Sequence, residues 1–386
     1  MKYLLLIGDG MGDYPLESLG GRTPLAAAAT PALDALAAQG LVGRAATVPA
    51  GMPPGSDVAI MSLMGYNPQG VLTGRGPLEA LAQGVTLAEG DLAFRLNLVT
   101  MERGERVVIR DHAAGDIPGE EAAELLAELK ARMPLASGQS ISPGVSYRNL
   151  FVWPGAPEGL PSIPPHDHLD QPIDALLDDP AMTPLTRLVK ASWPILEASP
   201  VNAARRARGL PPANSIWLWG QGRTPKIKTY AERWGLTGFT VSAVDIIRGL
   251  GLAAGLRPLR VPGATGGLDT NYAGKTAAAL AALEEGELVV VHLEAPDETS
   301  HQGRLDQKLQ AIENFDRLIV APLVAGLRAR GWDWRLLAAC DHYTPVSLKT
   351  HVADPAPFVL HDSRRPAGAG AAGYSEAAAA ASGLLI

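Results

Sequence analysis

The sequence predicts an α/β fold in which helices cover both faces of a largely parallel sheet. The first observation is residues 287–303, where a β-branched apolar run at 288–291 ends in a polar segment, as a buried parallel strand does. The second is an alternation of strand-like and helix-like segments from residue 215 to residue 291. The third is the length of 386 residues, which exceeds one typical domain and predicts two lobes.

Composition and charge restrict the class of partner. The formal net charge is −7 and the basic residues are scattered, which argues against nucleic acid or an anionic membrane as the main partner. No stretch approaches the length of a membrane span, and the five apolar residues before Gly8 are too few for the core of a signal peptide. Cys340 is the only cysteine, so no intrachain disulfide is possible and a cytoplasmic location is expected.

Carboxylates and histidines follow three of the strand-like runs, at the edge where parallel sheets place their chemistry. They are Asp9 after residues 3–7, Asp297 and His301 after 288–291, and Asp341, His342 and His351 after 336–340. The spacing of four would put Asp297 and His301 on one face of a helical turn. Six such side chains suffice for two metal ions, and mixed oxygen and nitrogen ligands favour manganese or zinc over magnesium or calcium. The alternative is a set of unrelated loop residues.

A Gly-Ser turn at Gly55 and Ser56 precedes the helix-like residues 58–64. A helix N-terminus stabilises negative charge, so this turn could hold a nucleophilic serine near a phosphate. No histidine is close in sequence, which makes a metal the expected activator of the hydroxyl. From the pattern alone, Ser56 is equally well the N-cap of the helix.

The middle of the chain predicts a second lobe at residues 77–213, inserted into a core made of residues 1–76 and 214–386. Strands are predicted at 92–100, 106–110 and 145–153, and helices at 119–133 and 183–209. Residues 154–184 are rich in proline and aspartate. They include His166, Asp167 and His168, which form either a third metal site or a loop at the lobe boundary. The tail beyond residue 364 is expected to be weakly ordered or a peripheral helix.

Several motifs together resemble the cofactor-independent phosphoglycerate mutases of the archaeal type, in the alkaline phosphatase superfamily. The resemblance covers residues 1 to about 362. It rests on the segments at 8–10, 20–25, 54–57, 65–68, 74–80, 296–301, 341–342 and on His351.

The resemblance implies an alkaline-phosphatase-like α/β core with an inserted cap and two divalent metals, usually manganese, with zinc, magnesium or cobalt as alternatives and no organic cofactor. One metal would be bound by Asp297, His301 and His351, and the other by Asp9, Ser56, Asp341 and His342. Ser56 would form a phosphoserine during interconversion of 2-phosphoglycerate and 3-phosphoglycerate, without 2,3-bisphosphoglycerate. The substrate, a small phosphorylated hydroxy acid, would be bound by Lys275, Arg148, Arg205 and Asp111, with Arg206 as a further candidate.

Two departures from the family pattern concern the substrate. The segment 111–116 carries His112, alanines and Asp116 where the family has basic residues, and Ile60 replaces a frequent histidine. An alternative is therefore a related phosphotransferase or phosphomonoesterase acting on another small ester, such as phosphohomoserine. A second alternative is a catalytically silent, metal-stabilised binding protein. The sequence leaves the oligomeric state open.

Overall fold

The computed structural model describes residues 1–365 and 370–386 and divides into two compact units. Unit 1 comprises Met1–Leu72 and Lys226–Ile386, and unit 2 comprises Thr73–Pro225. These limits differ from the expected ones at 76/77 and 213/214 chiefly because the strand that begins at Ser215 pairs within unit 2. Within the described residues, no helix combines the length and apolarity needed to cross a membrane.

The strands, numbered in chain order, are β1 (Lys2–Gly8), β2 (Leu41–Ala45), β3 (Leu92–Arg103), β4 (Val107–Asp111), β5 (Ser140–Val145), β6 (Arg148–Trp153), β7 (Ser215–Gly222), β8 (Gly238–Val241), β9 (Arg257–Leu259), β10 (Leu288–Leu293), β11 (Trp334–Cys340) and β12 (Ala356–Asp362). Of these, β1, β10 and β11 contain the strand-like runs predicted at 3–7, 288–291 and 336–340.

The helices connect these strands. Those of unit 1 are Pro24–Ala27, Pro31–Gln39, Ser56–Leu63, Tyr230–Trp234, Asp245–Ala253, Tyr272–Glu285, Ala295–His301, Leu305–Asn314, Ala321–Ala329 and Glu376–Ala381, with a π-helical turn at Phe315–Val320 and a short 3₁₀ turn at Glu17–Leu19. Those of unit 2 are Gly76–Ala82, Gly119–Arg132, Asp174–Leu177, Thr183–Glu197 and Pro200–Ala207, with 3₁₀ turns at Pro165–His168 and Pro180–Met182.

The sheet of unit 1 has the order β2-β12-β11-β1-β10-β8-β9. β12 runs antiparallel to both of its neighbours, whereas β11, β1, β10, β8 and β9 are parallel. Every residue of β10 is buried, as the continuous apolar run predicted. The predicted α/β class, a sheet with helices packed against it, is therefore confirmed.

The register of this sheet determines where its functional residues meet. Gly8 at the end of β1 pairs with Leu293 of β10 on one side and with Cys340 of β11 on the other. The three strands therefore end at the same level, and the residues that follow them emerge together at one edge.

Unit 2 contains an antiparallel sheet in which β3 pairs with β4, β6 and β7, and β6 pairs with β5. The strand predicted at 145–153 is in fact the second half of a hairpin, because Ser146 has a positive φ of 57° and reverses the chain between β5 and β6. The helix predicted at 183–209 is divided in two. Pro200 begins a new helix there, and the Ser199 hydroxyl caps it by accepting a hydrogen bond from the backbone N–H of Val201.

The C-terminal segment is more ordered than expected, although residues 366–369 lie outside the described residues. Helix Glu376–Ala381 is present, and Glu376 is buried against Thr23 and the backbone N–H of Asp13. Beyond this helix, the backbones of Leu384 and Ile386 hydrogen-bond with β2. The predicted peripheral helix is therefore present, and the residues after it also hydrogen-bond to the edge strand β2.

Candidate metal centre and nucleophile

The first cluster of possible metal ligands is formed by Asp297, His301 and His351. Asp297 and His301 lie one turn apart on helix Ala295–His301, and His351 follows β11. His301 Nε2 is 3.2 Å from Asp297 Oδ2 and 2.9 Å from His351 Nε2. His351 Nε2 is in turn 3.3 Å from Asp297 Oδ1. Three possible ligand atoms thus converge on one point.

The Nδ1 atoms of His301 and His351 fix the orientation of the two imidazole rings. His301 Nδ1 lies 2.9 Å from the carbonyl oxygen of Lys349, and His351 Nδ1 lies 3.4 Å from that of Pro54. Because a carbonyl oxygen can only accept, Nδ1 carries the hydrogen and Nε2 is directed at the cluster, which is how proteins commonly orient metal-binding imidazoles. The hydrogen bond to Asp297 raises the pKa of His301 to about 9, so a cation would have to displace a proton there.

The second cluster is centred on His342, which follows Asp341 at the end of β11. His342 Nε2 lies 3.2 Å from Ser56 Oγ, 3.2 Å from Asp341 Oδ2 and 3.5 Å from Asp9 Oδ1. Asp9 Oδ1 and Asp341 Oδ2 are buried and have no hydrogen-bond partner among the described residues. Their companion oxygens are satisfied: Asp341 Oδ1, for example, accepts from the backbone N–H groups of Gly10 and His342. Each carboxylate thus keeps one oxygen available for a ligand.

His292 supports Asp9 and was not identified in the sequence. It lies on the fully buried strand β10, where its Nε2 is 2.7 Å from Asp9 Oδ2 and its Nδ1 is 3.1 Å from Ser242 Oγ. Burial lowers the pKa of His292 to about 3, so the ring is neutral and donates one hydrogen bond to the carboxylate. A histidine inside an otherwise apolar strand was the available signal, but nothing in the sequence pairs it with Asp9.

The donor set of both clusters fits divalent cations. Asp9, Asp297 and Asp341 are all buried, and burial, followed by the charges of Asp341 and Asp297, holds the pKa of Asp9 well above its usual range. Such a concentration of buried carboxylates is unfavourable without compensating positive charge. Asp297 also forms a compact group with Asp9 and His342, whose ligand atoms lie within 4.8 Å of one another. The two clusters are therefore adjacent.

Ser56 is the first residue of helix Ser56–Leu63 rather than its N-cap, which is Gly55. Its hydroxyl caps no backbone N–H and instead contacts His342 Nε2. The structure thus brings the predicted nucleophile to the second cluster, and the interpretation of Ser56 as a simple N-cap is not supported.

Lys275 lies on helix Tyr272–Glu285 in unit 1 and is 1% exposed. Its ammonium donates to the carbonyl oxygen of His292, 3.2 Å away. Burial, only partly offset by the charge of Glu294, lowers the pKa of Lys275 to about 8. The cation therefore lies beside the strand that supports Asp9, while its contact with substrate stays a prediction.

Arg205 and Asp111, both predicted to bind substrate, have structural partners inside unit 2. Arg205 is 1% exposed, and its guanidinium donates to Glu121, to the carbonyl oxygen of Pro211 and to that of Ala114. The Asp111 carboxylate accepts from the backbone N–H groups at 113 and 115. Both side chains stabilise the loop at 112–116 through these hydrogen bonds. Neither was expected to do so, since both were predicted to contact the substrate. That contact stays a prediction for both.

The remaining candidates in unit 2 are exposed. Arg148 lies over the ring of Tyr147, 5.3 Å from its centroid, and Arg206 forms an ion pair with Glu197. Arg148 is therefore the more accessible of the predicted arginines.

His112 and His166 meet in unit 2, with ring centroids 5.9 Å apart. His166 also contacts Trp219, and Trp219 in turn lies under the guanidinium of Arg95. No group of three metal-ligand side chains in the described ranges includes His166 or His168, so the structure supplies no third cluster there. The His112 ring instead packs against Tyr147 and His166.

Together, the parallel strand ends, the two ligand clusters and the half-buried serine hydroxyl define an α/β protein with a candidate binuclear metal centre and a candidate nucleophile beside it. The family model described as 2,3-bisphosphoglycerate-independent phosphoglycerate mutase matches residues 37–202. A probable 2,3-bisphosphoglycerate-independent phosphoglycerate mutase of Geobacter sulfurreducens is 47% identical over 100% of this chain and 97% of its own length. The enzyme so named from Methanothrix thermoacetophila is 48% identical over 94% of this chain and 91% of its own. The chain belongs to the 2,3-bisphosphoglycerate-independent phosphoglycerate mutase family.

Solved structures agree with this assignment. A protein from Pyrococcus horikoshii is similar with a TM-score of 0.84 and 28% identity, covering 100% of this chain and 93% of its own. The cofactor-independent phosphoglycerate mutase of Thermoplasma acidophilum is similar with a TM-score of 0.63 and 28% identity, covering 100% and 96%. The family resemblance found in the sequence is therefore confirmed.

Proposed function

We propose that this protein interconverts 2-phosphoglycerate and 3-phosphoglycerate without 2,3-bisphosphoglycerate, through a phosphoserine at Ser56. The observation that carries the proposal is the position of the Ser56 hydroxyl, 3.2 Å from His342 Nε2. The same nitrogen lies near Asp9 Oδ1 and Asp341 Oδ2, the two buried carboxylate oxygens without a hydrogen-bond partner in the part of the chain that the structure describes. The names of the Geobacter and Methanothrix relatives support this reaction, which is an isomerisation. The single cysteine supports a cytoplasmic location as part of the same proposal.

Two divalent cations are proposed for the two clusters. Asp297, His301 and His351 would hold one, and Asp9, Ser56, Asp341 and His342 the other. The mixed carboxylate and imidazole donors favour manganese, with zinc, magnesium and cobalt as alternatives. When bound, the cations supply positive charge that favours ionisation of the serine and stabilises the transferred phosphoryl group.

In the first half of the reaction, Ser56 Oγ loses its proton and attacks the phosphorus atom. The bond from Oγ to phosphorus forms while the ester bond to the glycerate oxygen breaks, and that oxygen takes up a proton. The position of Ser56 at a helix N-terminus adds a favourable field for the negative charge of the phosphoryl group.

In the second half, the other hydroxyl of the glycerate attacks the phosphoserine. The new ester bond forms, the bond to Oγ breaks and Ser56 regains a proton, so no water is consumed. This outcome requires that the glycerate stays bound while it reorients, and that water does not reach the phosphoserine.

Retention of the glycerate needs cations that bind its carboxylate. Lys275 in unit 1 and Arg148 in unit 2 are proposed for this role, since the first lies beside the candidate metal centre and the second is exposed. Arg205 and Asp111 are proposed to act on the substrate through the loop at 112–116, whose shape they maintain.

The proposal is tested by phosphorus NMR of manganese-loaded protein mixed with 3-phosphoglycerate alone. We expect 2-phosphoglycerate to accumulate with little free phosphate. Release of phosphate without 2-phosphoglycerate would indicate a phosphomonoesterase, and conversion that depended on added 2,3-bisphosphoglycerate would contradict the proposed route.

Replacing the nucleophile provides the first prediction. Ser56→Ala should lower kcat by about 10⁴-fold or more, because it removes the hydroxyl proposed to accept the phosphoryl group. Ser62→Ala is the matched control, since the Ser62 hydroxyl lies on the same helix and donates to the carbonyl oxygen of Val58 within that helix. Near-normal turnover by Ser56→Ala would refute the assignment.

A further inference from the structure

The hydroxyl of Thr344 contacts a candidate ligand from each cluster. Thr344 Oγ1 lies 2.6 Å from Asp297 Oδ1 and 3.2 Å from His342 Nδ1. Thr344 is fully buried and follows β11 two residues after His342. The hydroxyl therefore connects the two clusters directly.

The backbone of Thr344 is held independently of its side chain. Its N–H donates to the carbonyl oxygen of Gly12 over 3.1 Å, and its own carbonyl oxygen accepts from the ammonium of Lys308 over 2.9 Å. The Lys308 ammonium is also paired with Asp13 at 2.8 Å. These contacts fix the backbone of Thr344, and the fixed backbone in turn positions the hydroxyl.

The hydrogen-bond chain has one direction. A carboxylate oxygen can only accept, so the single proton of the Thr344 hydroxyl is donated to Asp297. The hydroxyl oxygen can then only accept from His342, whose Nδ1 must carry the hydrogen. A neutral imidazole has one N–H, so the lone pair of Nε2 faces Ser56, Asp341 and Asp9.

We propose that Thr344 is a positioning residue that sets the tautomer of His342 and the orientation of Asp297, and so prepares both clusters for cations at once. This inference rests on the metal clusters of the proposed function but not on the identity of the substrate. Partners of this kind around metal ligands typically change metal affinity by about 10-fold to 100-fold when removed.

The test uses the full-length chain stripped of metal and titrated with zinc chloride alone, because zinc is diamagnetic. In Thr344→Val, the shape is kept and the hydroxyl is lost, and we expect zinc affinity to fall about 10-fold to 100-fold. Thr344→Ser retains the hydroxyl and should bind zinc within a few-fold of the wild-type protein.

Nitrogen NMR of histidine-labelled protein provides a readout that a purely structural role would not change. His342 should carry its hydrogen on Nδ1 in the wild-type protein and in Thr344→Ser, and should lose this uniform tautomer in Thr344→Val. A wild-type His342 with its hydrogen on Nε2 would overturn the inference without any variant.

Thr299→Val is the matched control. Thr299 is also buried and lies on the ligand-bearing helix, but its hydroxyl donates to the carbonyl oxygens of Ala295 and Pro296. Equal losses of zinc affinity in Thr299→Val and Thr344→Val would overturn the positioning role. Absence of mutase activity in a protein that shows the expected zinc affinities and tautomer would instead contradict only the proposed reaction.

Discussion

At the scale of single residues, the buried ammonium of Lys275 makes a prediction about pH. Its pKa is lowered to about 8 by burial, so the folded state binds fewer protons than the unfolded state between about pH 8 and pH 10.5. The resulting destabilisation is present in full below about pH 8 and is relieved as the pH rises. If the ammonium binds an anionic substrate, KM should rise above about pH 8 as the charge is lost.

This prediction is checked by the pH profile of KM and by denaturant unfolding between pH 7 and pH 10.5. Lys275→Met should raise KM at pH 7 and abolish both pH dependences near pH 8. Lys130→Met, which removes an exposed lysine, serves as the control. A KM that did not change through pH 8 in the wild-type protein would exclude substrate binding by this ammonium.

The candidate ligand residues could be proposed from the sequence because they follow strand ends, a position that can be recognised without coordinates. Asp9, Asp297 and Asp341 are examples, since parallel register alone brings them together. His292 and Thr344 were missed because their roles depend on contacts made across the sheet edge by single atoms. Arg205 is the opposite case, a residue predicted to bind substrate that has structural partners instead. The sequence around it does not reveal that its guanidinium is enclosed by Glu121 and two carbonyl oxygens.

At the scale of elements, the turn after β1 shows why Gly10 is required. Gly10 has a φ of +62°, and a Cβ built on it would lie 2.6 Å from both Asp297 Oδ1 and Thr344 Oγ1. Gly10→Ala should therefore displace these groups, reduce metal affinity at least about 10-fold and destabilise the fold by about 1–3 kcal/mol. Metal titration and denaturant unfolding would measure the two effects.

Gly20→Ala separates close contact from backbone strain. Gly20 has the same φ of +62°, but nothing lies within 4 Å of its hypothetical Cβ. The Gly20→Ala variant should lose about 1–2 kcal/mol of unfolding free energy because alanine is strained in the left-handed conformation, and its metal affinity should be unchanged. Equal metal affinity in the two variants would mean that the approach of Gly10 to Asp297 has no importance for the clusters.

Strands could be predicted where a run of apolar residues marks them. The sheet that each strand joins could not be predicted, because it depends on which other strand pairs with it. The strand-like run predicted at 288–291 lies within β10, whereas β12 was missed and β7 was placed in the wrong unit. β7 is apolar and fully buried, so its sequence indicates a strand but does not indicate that β3 is its partner. Which sheet a strand joins depends on contacts between residues distant in sequence.

At the scale of the whole molecule, the candidate metal centre concentrates buried carboxylates in unit 1. Asp9, Asp297 and Asp341 come from segments that are far apart in sequence, and each is less than 10% exposed. Unit 2 has its own apolar core around β3 and the helices Gly119–Arg132 and Thr183–Glu197. The stability that depends on cations should therefore be localised in unit 1, and unit 2 should be little affected by their removal.

Removal of divalent cations with EDTA should lower the melting temperature, and added manganese should restore it. Binding only to the folded state stabilises it by about 2.7 kcal/mol per site at a cation concentration 100 times Kd, and by about 1.4 kcal/mol more for each further tenfold increase. Hydrogen exchange should localise the effect, with faster exchange at residues 9–13, 295–303 and 341–352 and unchanged protection in β3. Asp341→Asn should reduce the response to manganese, since it removes the negative charge of a carboxylate whose Oδ2 has no hydrogen-bond partner among the described residues. A melting temperature independent of manganese, or equal loss of protection in both units, would mean that cations do not compensate the buried carboxylates of unit 1.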